Sequence, residues 1–261
     1  MRFRPLLPLF VMFSSVCFAV GKYQPVIGDT WQWQLQGTLN TDYNATVYDI
    51  DLFDTSWKTI RALHAKRHKV ICYFSAGTYE EWRDDKDRFK PEHIGTALDD
   101  WKGEYWIDIR ARHIKKVMIA RLDLAKKKGC DGVEPDNVDG YLKETGFNLT
   151  YDDQIAFNRF LAGEAHQRGM IVALKNDLDQ VAELVSYFDL AINEQCFEFD
   201  ECDKLQPFID QNKPVFNAEY KAEWANNGPL KQRLCDDAKK RQIQTLVLPL
   251  ALDDSYRYAC P

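Results

Sequence analysis

Short runs rich in β-branched and aromatic residues recur along the chain. They lie at 30–36 (TWQWQLQ), 45–51 (ATVYDID), 69–75 (KVICYFS), 132–136 (GVEPD), 170–176 (MIVALKN), 190–195 (LAINEQ), 214–220 (PVFNAEY) and 245–250 (TLVLPL). Their length and residue types predict strands. Longer segments between them follow a helical period. In ARHIKKVMIARLDLAKKKG, Ile114, Val117, Met118, Leu122 and Ala125 share one face, and three lysines precede Gly129. Basic residues suit the negative end of a helix dipole, and glycine suits the left-handed cap that ends the helix. YDDQIAFNRFLAGEAHQRG repeats the design, with acids first and Arg168-Gly169 last. Strands alternating with helices predict an α/β fold, a single (β/α)8 TIM barrel. A doubly wound open sheet competes, but it would carry a Gly-rich phosphate loop after its first strand, and WQWQLQGTLN has none. The apolar eighth run suits closure against the Trp-rich first.

The N-terminal run departs from this alternation. Arg2 and Arg4 precede LLPLFVMFSSVCFAV, an apolar stretch too short to span a bilayer comfortably and ending in small residues. It reads as a signal peptide over residues 1–19, leaving 20–261 as one barrel domain, secreted to an extracellular or periplasmic space. A lipoprotein anchored through Cys17 is the competing reading, and Val16 stands where such a site wants a small residue. No linker or repeat divides the rest, so one domain, acting as a monomer and free of the membrane after cleavage, is expected.

Charge and cysteine narrow the partners. Over the whole chain 34 basic side chains meet 40 acidic ones, for a formal charge of −6 that becomes −8 once Arg2 and Arg4 leave. An acidic surface disfavours nucleic acid and suits a cationic or neutral partner. Cys72, Cys130, Cys196, Cys202, Cys235 and Cys260 follow the leader. In an oxidising compartment they predict up to three disulfides. Cys196–Cys202 would close a short loop and Cys235–Cys260 would tie the tail; Cys72 and Cys130 are either bridged or two buried thiols. Asn44-Ala45-Thr46 and Asn148-Leu149-Thr150 are glycosylation sequons where the host glycosylates.

Polar residues collect where the strands end. Strand four, in CDGVEPDNVDGY, places Gly132, Glu134 and Asp136 on one face. The same end of other strands carries Asp49 and Asp51, Ser75, Lys175-Asn176, Asn193-Glu194-Gln195 and Glu219-Tyr220. Barrels keep their active sites at these carboxyl ends. Asp136 and Glu194, one strand apart, are the leading catalytic pair, because glycoside hydrolysis needs two carboxyls flanking one bond. Lys175 could form a Schiff base or hold a catalytic carboxylate ionised, and the surrounding acids favour the second role. Asp131, Glu134, Asp136 and Asp139 could instead hold calcium. No histidine falls at a strand end. His64 and His68 have metal-pair spacing, but in a basic stretch at the far end of the barrel they read as a solvated helix face. No G-x-S-x-G elbow is present, and no cofactor or metal is expected. The long segment 76–110 reads as a loop walling the cleft.

Taken together, TWQWQLQG, VICYFSAGTYEEWRDD, WKGEYWIDIR, GCDGVEPDNVDGY, INEQCFEFDEC and PVFNAEY resemble glycoside hydrolase family 114, the endo-α-1,4-polygalactosaminidases, from about Thr30 to Cys260. The resemblance implies a secreted (β/α)8 hydrolase of galactosamine-rich α-1,4-linked polysaccharide in microbial matrices. It also implies catalysis by Asp136 of the D-N-V-D-G motif and Glu194 of N-E-Q-C. The expected substrate-binding residues are Asp49, Asp51, Tyr73, Asn137, Tyr141, Lys175, Glu219 and Tyr220, with Asp49, Asp51 and Glu219 as partners for sugar ammonium groups. A carbohydrate-binding barrel without turnover, a metal-dependent lyase or deacetylase, and a glycosidase of another amino-sugar polymer are the alternatives.

Overall fold

The structure, a computed structural model, describes residues 23–260. The leader expected over 1–19 lies outside them. Eight strands run parallel in chain order around a curled sheet: β1 (Trp31–Gln34), β2 (Val47–Asp51), β3 (Lys69–Ser75), then β7 (Gly132–Asp136), β8 (Ile171–Lys175), β9 (Leu190–Glu194), β10 (Val215–Glu219) and β11 (Ile243–Val247). An insertion with three strands of its own separates β3 from β7 along the chain. β4 (Thr78–Glu80), β5 (Ile94–Ala97) and β6 (Glu104–Ile107) form a separate antiparallel sheet, ordered β4-β6-β5, within the segment expected to be a loop. The last strand begins at Ile243, two residues before the expected run, and stops at Val247.

Each of six strands is followed by one or more helices: α1 (Trp57–Ala65), α2 (Arg112–Lys128), α3 (Tyr151–Gln167), α4 (Val181–Leu184), α5 (Gln206–Asp210), and the pair α6 (Glu223–Asn226) and α7 (Gly228–Arg241). The caps explain the boundaries. Ser56 accepts from the Thr59 N–H, and Thr150 and Asp153 form a reciprocal capping box. Gly129 closes α2 in the left-handed region, at φ 94°. Two units depart from the ideal barrel. No helix separates β1 from β2, and β11 is followed by the short antiparallel β12 (Tyr258–Ala259).

That tail alters the closure. Among the described residues no ladder joins β11 to β1. The seam is stitched by side chains instead: Trp31 Nε1 donates to Gln244 O (3.0 Å), and Arg257 donates to Trp31 O (2.9 Å) and to the Gln32 side chain. Cys235–Cys260 ties α7 to this tail, Cys196–Cys202 closes the loop after β9, and Cys72–Cys130 joins β3 to the residue two before β7.

Strand alternation yields two apolar layers. Outward residues such as Ile50, Val70, Cys72, Phe74 and Val133 pack under the helices. Inward ones, including Trp31, Trp33, Ile71, Ile171, Ile192 and Phe216, fill the barrel, where Trp31 stacks on Phe216 at 5.0 Å. Gly132 lets β7 approach β8, because a Cβ there would meet Ile171 Cγ1 at 2.3 Å. The barrel interior is therefore apolar until its upper layer, where charge begins.

Candidate active site

At the carboxyl ends of the strands a cleft of about 980 Å³ opens, lined among others by Trp33, Tyr73, Asp136, Asn137, Lys175, Asn176, Glu194 and Tyr220. Three strands present its chemistry by one local device. Asp136, Lys175 and Glu194 each end a strand, and the next residues, Asn137, Asn176 and Gln195, have φ of 57°, 48° and 62°. This left-handed turn sends the backbone away and leaves the preceding side chain facing inward; asparagine tolerates it better than most residues.

Lys175 is the hub. Its Nζ lies 3.0 Å from Glu134 Oε1, 3.2 Å from Asp136 Oδ1 and 3.4 Å from Glu194 Oε2, and 4.7 Å from the centre of the Trp33 ring. Burial alone would discharge it, but the three carboxylates outweigh burial and hold it protonated. That geometry suits an ion-pairing lysine rather than a neutral amine awaiting a carbonyl.

Glu194 accepts hydrogen bonds from the Tyr220 hydroxyl and from Asn176 Nδ2 (3.0 Å), while its own N–H donates to Asn176 Oδ1 (2.9 Å). Burial pushes its carboxyl up, as expected for the residue after which the disulfide loop begins. The Lys175 charge and these donors nevertheless win, and Glu194 rests below the ordinary glutamate value. The Asn137 N–H donates to Asp136 Oδ1 (2.7 Å), and the Asn137 side chain donates to Ser75 Oγ (3.0 Å) and Glu104 Oε1 (3.2 Å).

Several expected sugar-binding residues sit elsewhere. Asp49 is one pleat too deep: fully buried beneath the cleft, it faces Glu134 and does not line the opening. Burial, then the Glu134 charge, holds Asp49 well above the carboxylate range. Burial also lifts Glu134 to about 7, though Lys175 opposes it. Sealed beneath the cleft, Asp49 does not face a sugar ammonium there. Glu219 is equally buried, accepting from the Phe197 N–H (2.9 Å) and Asn217 Nδ2 (2.9 Å); it anchors the disulfide loop. Asp51 lines the cleft but is already paired with Arg83, at 3.1 and 2.7 Å. Tyr141 packs edge-on against Tyr151 at 5.5 Å, outside the cleft.

The four carboxylates of CDGVEPDNVDGY do not form one cluster: Glu134 and Asp136 meet at Lys175, and Asp139 lines the cleft beside Lys143. Asp131 lies at the opposite end of β7, bonded to His64 Nε2 (2.7 Å) and the Val70 N–H (2.9 Å). His64 is thus a strut from α1 to β7 rather than a solvated face. Among the described residues no group of three or more acidic, histidine or cysteine side chains is arranged to hold a metal ion. The insertion also lines the cleft with Trp82 and Trp101, aromatics the sequence offers as sugar-stacking faces, and with Glu80, Arg83 and Glu104, which sequence reasoning missed. The long segment 76–110 pointed to a wall without indicating which charged side chains it would deliver.

A family model described as glycoside-hydrolase family GH114 matches residues 18–261. Among solved structures, Aspergillus fumigatus Ega3 in complex with galactosamine superposes with a TM-score of 0.87 at 41% identity, covering 94% of this chain and 100% of that one. The glycoside hydrolase domain of PelA from Pseudomonas aeruginosa gives a TM-score of 0.68 at 12% identity, over 87% and 96% of the two chains. A MutB variant bound to sucrose gives 0.55 at 9% identity, over 74% and 57%. The last two show the shared fold alone. No curated protein sequence matches the chain significantly.

Proposed function

The chain belongs to glycoside hydrolase family GH114, and from that premise we propose that it is a secreted endo-acting hydrolase of α-1,4-linked galactosamine polymers, galactosaminogalactan among them. The carrying observation is that Asp136 and Glu194, from strands one apart, meet at a single ammonium in an open, acid-lined cleft. A polymer bearing free amines suits such a groove, and the galactosamine bound to Ega3 supports that sugar. Three disulfides suit an oxidising compartment.

In this reading Asp136 attacks C1 of the sugar while Glu194 gives its proton to the departing oxygen. The resulting glycosyl ester is then hydrolysed by water, with Glu194 taking a proton back. The short Asp136, fixed by its own strand end and the Asn137 N–H, suits the nucleophile; the longer Glu194 reaches the leaving group. Retention is supported by geometry. Oxygens 3.2 and 3.4 Å from one nitrogen reach the lower limit of the ~6.5–9.5 Å separation of inverting enzymes only if that nitrogen lies on the line between them. Lowering of the Glu194 pKa favours the exchanged roles, with Glu194 as nucleophile. Trapping with a fluorinated galactosaminyl fluoride and mapping the labelled peptide separates the two assignments.

The deciding experiment incubates the protein with partially deacetylated α-1,4-galactosaminogalactan. Mass spectrometry should find oligosaccharides of several lengths, and proton NMR should show α-anomers as the first-formed reducing ends. Intact polymer would leave a carbohydrate-binding barrel, and first-formed β-anomers would mean inversion.

A further inference from the structure

Most cleft carboxylates already have a cation. Asp136 and Glu194 share Lys175, Asp51 and Glu80 share Arg83 (2.7 and 2.8 Å), and Asp139 lies 3.9 Å from Lys143. Glu104 differs. It lines the cleft and is only 6% exposed, yet among the described residues no Lys, Arg or His stands within ion-pair distance of it. Its Oε1 accepts from neutral donors, the Thr78 hydroxyl and Asn137 Nδ2; its Oε2 accepts no hydrogen bond from the described residues. Burying a carboxyl without a counter-charge is costly unless it stays protonated or a ligand brings the cation. Burial, reinforced by Glu80 and Asp136 and opposed by the Thr78 bond and, beyond ion-pair distance, by the Arg83 charge, raises Glu104 to about 7.

The position of Glu104 indicates which cation. Asn137 bridges it to the proposed nucleophile: the backbone N–H holds Asp136 and the side chain holds Glu104. C2 of an amino sugar is bonded to C1, the carbon that Asp136 attacks. A group reading the C2 substituent must therefore sit beside the nucleophile, and Glu104 does. We propose that Glu104 selects a free amino sugar at the cleavage point by pairing its carboxylate with the C2 ammonium. This assignment rests on the galactosaminidase reading above. A neutral hydroxyl at C2 offers no charge to draw the proton off Glu104, so galactose binds beside the neutral carboxyl and gains nothing from it. Insertion strand β6 thus supplies specificity to a catalytic pair carried by the barrel.

The test is binding, read independently of turnover. NMR titrations with galactosamine and with galactose at pH 6 measure a preference. The wild-type protein should favour galactosamine, and Glu104→Gln should cut that preference by about 10-fold or more, the scale of a buried charge-assisted hydrogen bond, while galactose affinity stays unchanged. A structural role for Glu104 would weaken both sugars together. An unchanged preference, or a parallel loss for both sugars, overturns the assignment. Should Glu104→Gln fail to fold, calorimetry of the wild-type protein decides. In two buffers of different ionisation enthalpy at pH 6, galactosamine binding should release a proton that galactose binding does not; equal proton release overturns the proposal. Uncut polymer with this preference intact would overturn the hydrolase reading alone.

Discussion

At the scale of single residues, Lys175 controls the cleft, because among the described residues it is the cation within ion-pair distance of Glu134, Asp136 and Glu194. Asp136→Asn and Glu194→Gln are nearly isosteric, so each should leave binding of the polymer intact while lowering turnover by about 10³-fold or more. Single-turnover product assays beside a pull-down on immobilised polymer check this. A variant keeping more than a few per cent of activity removes its residue from the reaction. The pH dependence follows from charge. As the acid, Glu194 must hold a proton, and it rests below the ordinary glutamate value. kcat/KM should therefore fall as pH rises through that lowered value, placing the optimum on the acid side. Lys175→Met removes the strongest influence that opposes burial at Glu194. Its alkaline limb should then move to higher pH even as kcat drops; a limb that stays put assigns it to another group.

At the scale of elements, the three left-handed residues after β7, β8 and β9 make barrel strands present functional groups. Asn176 serves both backbone and side chain, with φ 48° and a pair of hydrogen bonds to Glu194. Asn176→Gly and Asn176→Ala should shift the Glu194 limb upward by the same amount, since both lose the side chain. Only alanine should add about 1–2 kcal/mol of backbone strain, seen as the lower melting temperature. Equal melting temperatures would mean that the turn relaxes. The strand-ending dyads Asp136-Asn137, Lys175-Asn176 and Glu194-Gln195 were legible in the sequence because β7, β8 and β9 are long enough to show alternation. β4 and β6 were not: strands of three and four residues cannot be told from loop by period, so Glu80 and Glu104 went unnoticed. Alternation also fixes the face but not the depth. Asp49 and Asp51 share a parity, yet two residues separate a carboxyl sealed in the barrel from one at the rim, where Arg83 arrives from the insertion. The form of the seam is illegible for a similar reason: β12 is two residues long and adds to β11 antiparallel, so β1 and β11 meet through side chains rather than a ladder.

For the whole molecule, the buried acids tie stability to pH in the same direction as activity. Burial lifts Glu134 and Glu219 to about 7 and Asp177 to about 9, and holds Asp49 well above its ordinary value. In the unfolded chain these groups titrate near 4. Between pH ~4 and ~7–9 the unfolded chain has released protons that the folded protein keeps, so the folded state binds more protons and stability falls as pH rises. Glu194 and Asp153 act oppositely: their values are lowered, and the stability they contribute is lost only as pH falls below about 4. The balance puts maximum stability at mildly acid pH. Differential scanning calorimetry should find a higher melting temperature at pH 5 than at pH 8. Glu219→Gln and Asp177→Asn, which keep shape and cannot ionise, should each flatten that slope by raising stability at pH 8 relative to pH 5. A protein that melts at the same temperature at both values, or higher at pH 8, would show that these acids release their protons on folding, leaving an unscreened cluster of charge beneath the cleft.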